Sequence, residues 1–529
     1  MWTKGDTEVN GRTSIPSVCD CPTLDGEMDR AALVFGSQEA YVDGLDRMTF
    51  AQWDSRSREL AAVLSSRGVG PGDVVALMLS PGIPYAVAYV ATLRLGAVVT
   101  GLNTRLGRLE VDQILAQCAP ALVIYDQTTG LPAPVGHPVV YPDDLTDAGA
   151  GSLPPAHWSG TADAPAVIIW TSGTTGHPKG AWFDHAGLAA AVASSGAVGG
   201  YGQRRLVPTP FAHAGYMAKV WEQLATGTTF VLAPQPWTAE STARVFVEER
   251  ITVAGAVPTQ WEKLLELPSL TPSHLPHLRI GVAATAAASP ALIKAVRRKL
   301  GCPLVVRYAM TESPSITGTE PGDSTDLQGG TVGRPQRGMS VRIVDADGQP
   351  MAVGGTGEVQ VRGTCVMRGY WNDPDTTALA FDGGWFRTGD LGRLDEHENL
   401  VLAGRSRDMY IRGGYNVYPL EVENVLATHP AVAKVSIVGM PARVIGEIGA
   451  AFVVPVDPAA PPTLGDLRGF VREHLADYKR PDELVLVDEL PLTPMMKVDK
   501  DDLRRRFTDV VSDRSGARDG RRKAVGKPS

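Results

Sequence analysis

A short apolar run and the glycine-rich loop that follows it, AVIIWTSGTTGHPKG, occupy residues 166–180. The run Ala166 to Trp170 has the length and composition of a buried strand. The loop combines glycines, which adopt backbone conformations closed to other residues, with hydroxyl groups and one lysine. Amide N–H groups, hydroxyls and an ammonium group can together surround a polyphosphate, so the loop predicts a phosphate site. Its candidate binding residues are Thr171, Ser172, Gly173, Thr174, Thr175, Gly176 and Lys179.

This loop is not a Walker motif. In a Walker motif the lysine follows a glycine and precedes Ser or Thr, whereas here Pro178 precedes Lys179 and Gly180 follows it. The pattern therefore disfavours the Ras-like and motor ATPases. By composition alone, a flexible surface loop is the alternative interpretation.

Helices and strands alternate on both sides of the loop. Before it, Phe50 to Leu64 is predicted to be a helix, Val74 to Leu79 a strand, and Tyr85 to Leu95 a second helix. Such alternation predicts an α/β fold in which helices cover a parallel sheet. The other predicted elements in this part of the chain are the strands Ala121 to Tyr125 and Phe230 to Leu232 and the helices Ala186 to Ala193 and Ala239 to Glu249.

The pattern changes twice along the second half of the chain. After Gly333 three short strands with Asp-Gly and Gly-Gly turns predict a β-rich subdomain over about 333–405. A helix and two strands then predict a small α+β domain over 406–505. The predicted domains are thus 1–405 and 406–505, and the basic, glycine-containing segment 506–529 is predicted to be a disordered tail.

Length and composition set broad limits on function. The chain has 529 residues, 43% of them hydrophobic, and a net charge of −8. It can therefore build more than one core, but it has no general attraction for nucleic acid. Five scattered cysteines argue against a disulfide framework. No signal peptide or apolar membrane span is visible, so the sequence predicts a cytoplasmic protein.

Five segments occur in a fixed order along the chain: TSGTTGHPKG (171–180), YAMTE (308–312), WFRTGD with GRSRD (385–390 and 404–408), RGGYNVYP (412–419) and LPLTPMMKVDK (490–500). Together they resemble the motifs of the adenylate-forming superfamily, which includes acyl-CoA synthetases, luciferases and the adenylation domains of peptide synthetases. The resemblance runs from about Leu33 to Leu503. It implies a large domain of two βαβ sheet subdomains plus a β-rich subdomain, followed by a small mobile α+β domain. It also implies an ATP-dependent ligase that forms an acyl-AMP and then a CoA thioester.

In the YAMTE segment the resemblance implies three roles. Tyr308 would pack on the adenine ring, Thr311 would bind the α-phosphate, and Glu312 would hold Mg²⁺, a cation that prefers oxygen ligands. Ala309 stands where relatives carry glycine, and Met310 completes the binding segment. Thr174 of the phosphate loop is the second candidate Mg²⁺ ligand. If the family resemblance is set aside, the start of a helix is the simpler interpretation of Thr311 and Glu312.

Further roles are implied in the carboxyl-terminal third of the chain. Asp390 would accept hydrogen bonds from the ribose hydroxyls, and Arg405 would donate to the ribose or the phosphate. Arg407 matches the hinge about which the small domain turns, although relatives usually carry Asp or Lys there. Lys497 matches the lysine required for adenylation. The two glycines that would line the pantetheine tunnel of CoA are Gly413 and Gly414.

The acid substrate is the least defined part of the prediction. Peptide-synthetase domains place an Asp where this chain has Ala212, so an amino acid is disfavoured. Small and apolar candidate wall residues favour a medium or long fatty acid or a bulky alicyclic acid, with aryl acids as the alternative. A carrier protein in place of CoA and a homodimer stay open. The predicted pocket residues are His213, Tyr216, Val257, Pro258, Ala283 and Ala284.

Overall fold

A computed structural model describes residues 21–142, 158–172, 177–208, 210–284, 288–412, 415–442, 445–493 and 498–508. Within these residues, the strands belong to four sheets. Two large sheets draw their strands from residues 39–370. Of the two smaller sheets, one lies within residues 339–405 and the other begins at residue 410.

The first large sheet draws its strands from distant parts of the sequence. They are β1 (Glu39–Asp43), β2 (Asp46–Thr49), β9 (Arg204–Val207), β10 (Thr229–Leu232), β11 (Val253–Ala256), β12 (Ile280–Ala284), β13 (Leu304–Met310), β14 (Ser313–Gly318) and β15 (Arg334–Pro335). Their spatial order is β15-β14-β13-β12-β11-β9-β10-β1-β2. The central strands from β13 to β1 pair in parallel, and antiparallel strands close both edges.

The second large sheet contains the strand that precedes the phosphate loop. Its strands are β3 (Val74–Met78), β4 (Val98–Gly101), β5 (Leu122–Tyr125), β6 (Val139–Val140), β7 (Pro165–Ser172), β8 (Pro178–Asp184) and β18 (Gly369–Tyr370). Their order is β18-β8-β7-β4-β3-β5-β6. The strands from β7 to β6 are parallel, and β8 and β18 add two antiparallel strands next to β7.

The two smaller sheets are mainly antiparallel. One consists of β16 (Met339–Val344), β17 (Gly357–Gly363), β19 (Phe381–Asp382), β20 (Trp385–Leu394) and β21 (Leu400–Arg405). The other consists of β22 (Tyr410–Arg412), β23 (Tyr415–Val417), β24 (Val432–Ala442), β25 (Gly446–Pro455) and β26 (Glu483–Leu486).

Helices cover the sheets, and local signals set their ends. Thr49 caps α2 in a capping box with Gln52. Ser289 caps α10, Pro290 occupies its first turn, and Gly301 ends it in the left-handed conformation. The helices are α1 (Leu24–Phe35), α2 (Phe50–Ser66), α3 (Ile83–Arg94), α4 (Arg108–Cys118), α5 (His185–Ala193), α6 (Ala214–Met217), α7 (Val220–Thr226), α8 (Ala239–Glu248), α9 (Pro258–Glu266), α10 (Pro290–Leu300), α11 (Thr325–Gly330), α12 (Pro374–Ala380), α13 (Pro419–Leu426), α14 (Leu464–His474) and a last helix over 500–508.

An aromatic cluster occupies the largest core, which joins both large sheets. The rings of Phe211 and Tyr216 stack with centroids 3.6 Å apart, and Tyr85 meets both edge-on. Tyr41 and Tyr216 share a hydrogen bond of 2.8 Å between their hydroxyls. This cluster makes the region behind the segment 211–216 rigid, because large rings in a packed core move little.

The predicted alternation of helices and strands is confirmed, with boundaries that differ by a few residues. The predicted tail requires one correction, since residues 506–508 continue the last helix. Phe507 is buried with Leu503 against Val438 and Phe452, which its apolar ring favours despite the basic residues around it. Residues 509–529 lie outside the described residues. Within the described residues, none of the helices combines the length and the apolar character of a membrane span.

Candidate active site

Four parallel strands of the nine-stranded sheet end at one edge. The strands β9, β11, β12 and β13 pair in parallel, so their carboxyl ends lie side by side. His213 follows β9, Val257 follows β11, Ala284 ends β12, and Tyr308 lies near the end of β13. Ligands of open α/β sheets bind at this kind of edge. The predicted acid-pocket segments and the adenine segment are therefore neighbours.

The same edge meets the seven-stranded sheet. The amide nitrogen of Asn103, just after β4, lies 2.9 Å from Nε2 of His213. Because an amide nitrogen only donates, His213 accepts at Nε2. At Gly101 a Cβ would lie 2.0 Å from the Tyr85 hydroxyl and 3.1 Å from Ala212, so only glycine permits this approach. Asn103 was not predicted, because an isolated Asn after a strand has the signature of an ordinary turn.

The phosphate loop connects two antiparallel strands. Strand β7 ends at Ser172 and β8 returns from Pro178, with Thr171 opposite Lys179. Both strands therefore hold Lys179 at the mouth of the loop. Gly173, Thr174, Thr175 and Gly176 lie outside the described residues.

The YAMTE segment forms the turn between β13 and β14. Met310 pairs with Ser313, which leaves Thr311 and Glu312 as the connection, and the register shifts between Tyr308 and Met310. Ala309 is exposed, Met310 packs against the largest core, and Glu312 is buried. This turn therefore brings a carboxylate into the protein beside the strand that carries Tyr308.

Asp390 connects YAMTE to the β-rich subdomain. The Tyr308 hydroxyl donates to Oδ2 of Asp390 over 2.5 Å, and Nε of Arg405 lies 3.1 Å from Oδ1. Asp390 and Arg405 face each other across β20 and β21. Burial and the neighbouring Asp390 carboxylate raise the pKa of Tyr308, so its hydroxyl stays protonated and donates. A carboxylate oxygen can accept more than one hydrogen bond, so Asp390 is chemically suited to accept from a ligand as well.

Glu312 and Lys179 are connected through Tyr370, a residue that sequence reasoning missed. The Tyr370 hydroxyl donates to Oε1 of Glu312 over 3.1 Å, and Nζ of Lys179 lies 5.4 Å from the centre of its ring. Burial raises the pKa of Glu312, an effect that the positive charges of Arg405 and Lys179 partly offset. The only signal at Tyr370 was a Tyr-Trp pair after Gly369.

The donor set at Glu312 fits Mg²⁺. This ion is commonly held by one or two carboxylates together with substrate phosphates rather than by a cage of protein ligands. Oε2 of Glu312 is not used by Tyr370, and Lys179 approaches the same site from the phosphate loop. Among the residues that the structure covers, no group of three His, Cys, Asp or Glu side chains could hold a metal alone.

The predicted hinge and small-domain residues lie beyond β21. Arg407 is exposed in the short helical turn Ser406–Asp408, which connects the two smaller sheets. Arg412 pairs with Tyr415, so Gly413 and Gly414 connect β22 to β23. These two glycines and Lys497 lie outside the described residues. Lys434 of β24 forms a 3.4 Å ion pair with Glu262 of α9, which brings this unit next to the helix after Val257.

Two predicted pocket residues require correction. Tyr216 is fully buried in the aromatic cluster, and Ala283 is fully buried in the core under α9 and α10. Strand alternation explains Ala283, because its neighbour Val282 packs in a different core on the opposite face of the sheet. Tyr216 and Ala283 therefore support the wall from behind. Val257 and Pro258 are half-buried at the start of α9, as a pocket wall requires.

Gly255 is a further position of interest on the pocket side of the sheet. Gly255 lies on β11, and the backbone is still extended at Val257 two residues later, so both positions lie on one face. A Cβ at Gly255 would meet no atom within 4 Å. There is therefore open space above the strand beside Val257, next to Ala284 of the adjacent strand.

Comparison with known families agrees with this geometry. Residues 26–371 match the model of the AMP-binding enzyme family, and residues 421–497 match the AMP-binding enzyme C-terminal domain. The chain belongs to the AMP-binding enzyme family. This AMP-binding enzyme is 33% identical over 491 residues to a long-chain-fatty-acid–CoA ligase of Mycobacterium tuberculosis, covering 89% of this chain and 96% of that one.

Two further proteins extend the comparison. An indoleacetate–CoA ligase of Aromatoleum aromaticum is 34% identical, over 87% of this chain and 93% of its own. The crystal structure of ATP-bound MatB from Rhodopseudomonas palustris superposes with a TM-score of 0.83 and 29% identity, over 92% of this chain and 99% of that one. The predicted superfamily, fold class and enzyme class, an AMP-forming acid–CoA ligase, are confirmed.

Proposed function

We propose that this AMP-binding enzyme activates an apolar carboxylic acid as its acyl-AMP and transfers the acyl group to CoA. One observation carries the proposal. Lys179, Glu312 and Asp390, from three separate motifs, converge through Tyr308 and Tyr370 on the edge where the apolar segments also end. The site thus combines anion recognition with an apolar wall.

In the first step, a carboxylate oxygen of the acid attacks the α-phosphorus of ATP. The new O–P bond forms as the bond to pyrophosphate breaks. Two anions must approach each other, so catalysis rests on neutralising charge and holding the reactants in place. Lys179 faces the phosphates, Lys497 contacts the incoming carboxylate, and Thr311 donates to the α-phosphate. Mg²⁺ held by Glu312 and Thr174 would neutralise phosphate charge.

The nucleoside is held at the other side of the same network. Asp390 accepts from the ribose hydroxyls while Arg405 and Tyr308 fix its orientation. Tyr308 and Asp390 are buried, and a hydrogen bond to a carboxylate contributes about 1.5–3 kcal/mol, whereas the ion pair of the exposed Arg405 contributes less. Arg405 also adds positive charge next to Glu312 and the phosphates.

In the second step, the CoA thiolate attacks the acyl carbon of the mixed anhydride. A C–S bond forms, the C–O bond to AMP breaks, and AMP leaves. The small domain turns about Arg407, which withdraws Lys497 and brings Gly413 and Gly414 to the pantetheine arm. The Lys434–Glu262 ion pair joins two half-exposed side chains, so it contributes little and does not oppose this rotation.

The acid is a medium or long fatty acid or a bulky alicyclic acid. The half-buried Val257 and Pro258 carry no charge, and the open space above Gly255 extends the apolar slot. A second charged group on the acid would lose its hydration there without gaining a partner. The relative that acts on long-chain fatty acids supports this class, and the indoleacetate ligase keeps an aryl acid as the alternative.

A pyrophosphate-release assay tests the proposal on the full-length enzyme. A panel of fatty, alicyclic, aryl and dicarboxylic acids is offered with ATP and Mg²⁺, each with and without CoA. We expect sustained release with CoA and the highest kcat/KM among the apolar acids. A single burst that CoA does not extend would instead indicate a carrier-protein acceptor. Highest activity with aryl acids would replace the fatty class, and no acid-dependent release would overturn the proposal.

A further inference from the structure

A backbone strap over residues 367–371 connects the two parts of the phosphate site. The amide of Met367 donates to the carbonyl of Glu312 over 2.8 Å, and that of Trp371 donates to the carbonyl of Gly180 over 2.7 Å. Between them, Tyr370 lies opposite Ala181 in the β18–β8 pair. The strap therefore fixes the turn that carries Glu312 relative to the strand that carries Lys179, although these belong to different sheets.

The side chain of Tyr370 completes this connection. Its hydroxyl donates to Glu312 over 3.1 Å, and its ring lies under the Lys179 ammonium at 5.4 Å. Tyr370 and Glu312 are each only 8% exposed. In the part of the chain that the structure describes, Lys179 and Glu312 form no ion pair with each other.

The attraction between the two opposite charges explains why a residue placed between Lys179 and Glu312 is useful. In a buried site, a neighbouring lysine and glutamate attract each other strongly and would pair when ATP is absent. Each group would then have to be released before it could bind phosphate or metal. Tyr370 gives the carboxylate a neutral donor and gives the ammonium a π face, so neither group needs the other.

We propose that Tyr370 is a positioning residue that keeps Glu312 and Lys179 apart and oriented for a nucleotide carrying Mg²⁺. This inference rests on the proposed function only in assigning Glu312 to the metal and Lys179 to the phosphates. Tyr370 acts through both groups and does not contact the reacting atoms. The hydroxyl acts on Glu312, and the ring acts on Lys179.

Equilibrium ATP binding, measured by calorimetry without an acid substrate, tests this role. Loss of one hydrogen bond to a carboxylate is expected to weaken ATP affinity about tenfold in Tyr370→Phe when Mg²⁺ is present. With EDTA in place of Mg²⁺, the same variant should bind ATP like the wild type within about twofold, because the ring over Lys179 is retained. Tyr370→Leu should lose affinity in both conditions, since it lacks the ring as well.

A double-mutant cycle separates positioning from general damage to the fold. In a Glu312→Ala background, Tyr370→Phe should change Mg²⁺-dependent ATP affinity by less than about twofold, because the acceptor of its hydrogen bond is gone. Additive losses in that background would overturn the proposal, as would equal losses with and without Mg²⁺ in Tyr370→Phe. Thermal unfolding of each variant is followed in parallel, and a Tm lowered by Tyr370→Phe would assign the residue to folding instead.

The two proposals fail in different ways. If wild-type enzyme binds MgATP but releases no pyrophosphate with any acid, the proposed function fails while the binding cycle still reports on Tyr370. If acids are adenylated but the cycle is additive, only the role of Tyr370 fails.

Discussion

The nucleotide end and the acid end of the site are built differently. At the nucleotide end, the buried Tyr308 donates a hydrogen bond to the buried Asp390, the exposed Arg405 pairs with the same carboxylate, and each group has one chemical task. At the acid end, Val257 and Pro258 offer only apolar surface and shape. Charge recognition needs particular groups at particular places, whereas an apolar slot can be built from many combinations of side chains.

This difference explains why one end was visible in the sequence and the other was not. Hydrogen bonding restricts residue types, so it leaves motifs. Apolar packing restricts volume, which several residues share, so it leaves composition only. Variants at the two ends should therefore fail in different ways, and four predictions test this.

The largest effect is expected at Lys497, which we propose contacts the acid's carboxylate during adenylation. Lys497→Ala removes the positive charge that neutralises the attacking carboxylate, which should slow acid-dependent ATP–pyrophosphate exchange by about 10³-fold. Thioester formation from supplied acyl-AMP should stay within about threefold of wild type, since Lys497 is withdrawn in that step. The control is Lys500→Ala, whose ammonium pairs with Glu423 at 3.0 Å. Full exchange activity in Lys497→Ala would refute the assignment.

The second effect is confined to the nucleotide end. Asp390→Asn keeps the shape of the side chain but removes the charge that accepts from Tyr308 and pairs with Arg405. We expect kcat/KM for ATP to fall by about 10²-fold, as for loss of charge-assisted hydrogen bonds. The KM of the acid should not change. Asp382→Asn, on the same sheet with only half-exposed ion pairs, is the matched control. A loss of kcat/KM for the acid as large as the loss for ATP would contradict the distinction between the two ends.

The third effect belongs to the acid end. Gly255→Leu fills the open space beside Val257, so it should lower kcat/KM for the longest acid accepted by about 10- to 100-fold relative to a short one. Gly255→Ala adds one methyl group that meets no atom within 4 Å and serves as the control. ATP affinity should be unchanged in both variants. If Gly255→Leu leaves chain-length preference intact, the acid does not occupy this slot.

The smallest effect is expected at the contact between the two large sheets. Asn103→Ala removes the hydrogen bond that holds the His213 ring, which should raise the KM of the acid about 3- to 10-fold. Asn103→Asp replaces the amide donor with a carboxylate acceptor, to which a His213 ring carrying its proton on Nε2 can donate, so it should raise the KM of the acid less than Asn103→Ala does. A change in the KM of ATP instead would place Asn103 at the nucleotide end.

The elements of the fold were predictable because their signals are local. Apolar runs such as Ala166 to Trp170 and caps such as Thr49 act within a few residues of themselves. The order of the strands in the sheets was not predictable, since β1 lies between β10 and β2 and no local signal records such pairings. The side of the sheet that Ala283 faces depends on its position within β12 (Ile280–Ala284). Composition alone does not determine that position.

The contacts within the site were also not predictable where they depend on pairings between distant strands. Motif residues such as Glu312 and Asp390 could be named in advance, but their connection through Tyr308 and Tyr370 depends on which strands become neighbours. Tyr370 has its role only because β18 pairs with β8 and Met367 bonds to the Glu312 carbonyl. Tyr216 was misplaced for a related reason, since only the packing of Tyr41, Tyr85 and Phe211 shows that its ring is enclosed.

The central claim is that the acid becomes an acyl-AMP before it reaches CoA. The most direct measurement uses a carboxylic acid with ¹⁸O in both carboxylate oxygens, with ATP, Mg²⁺ and CoA, and mass analysis of the products. Attack at the α-phosphorus predicts one ¹⁸O atom in AMP and the other in the thioester carbonyl. Unlabelled AMP, with ¹⁸O in pyrophosphate or inorganic phosphate, would contradict the account.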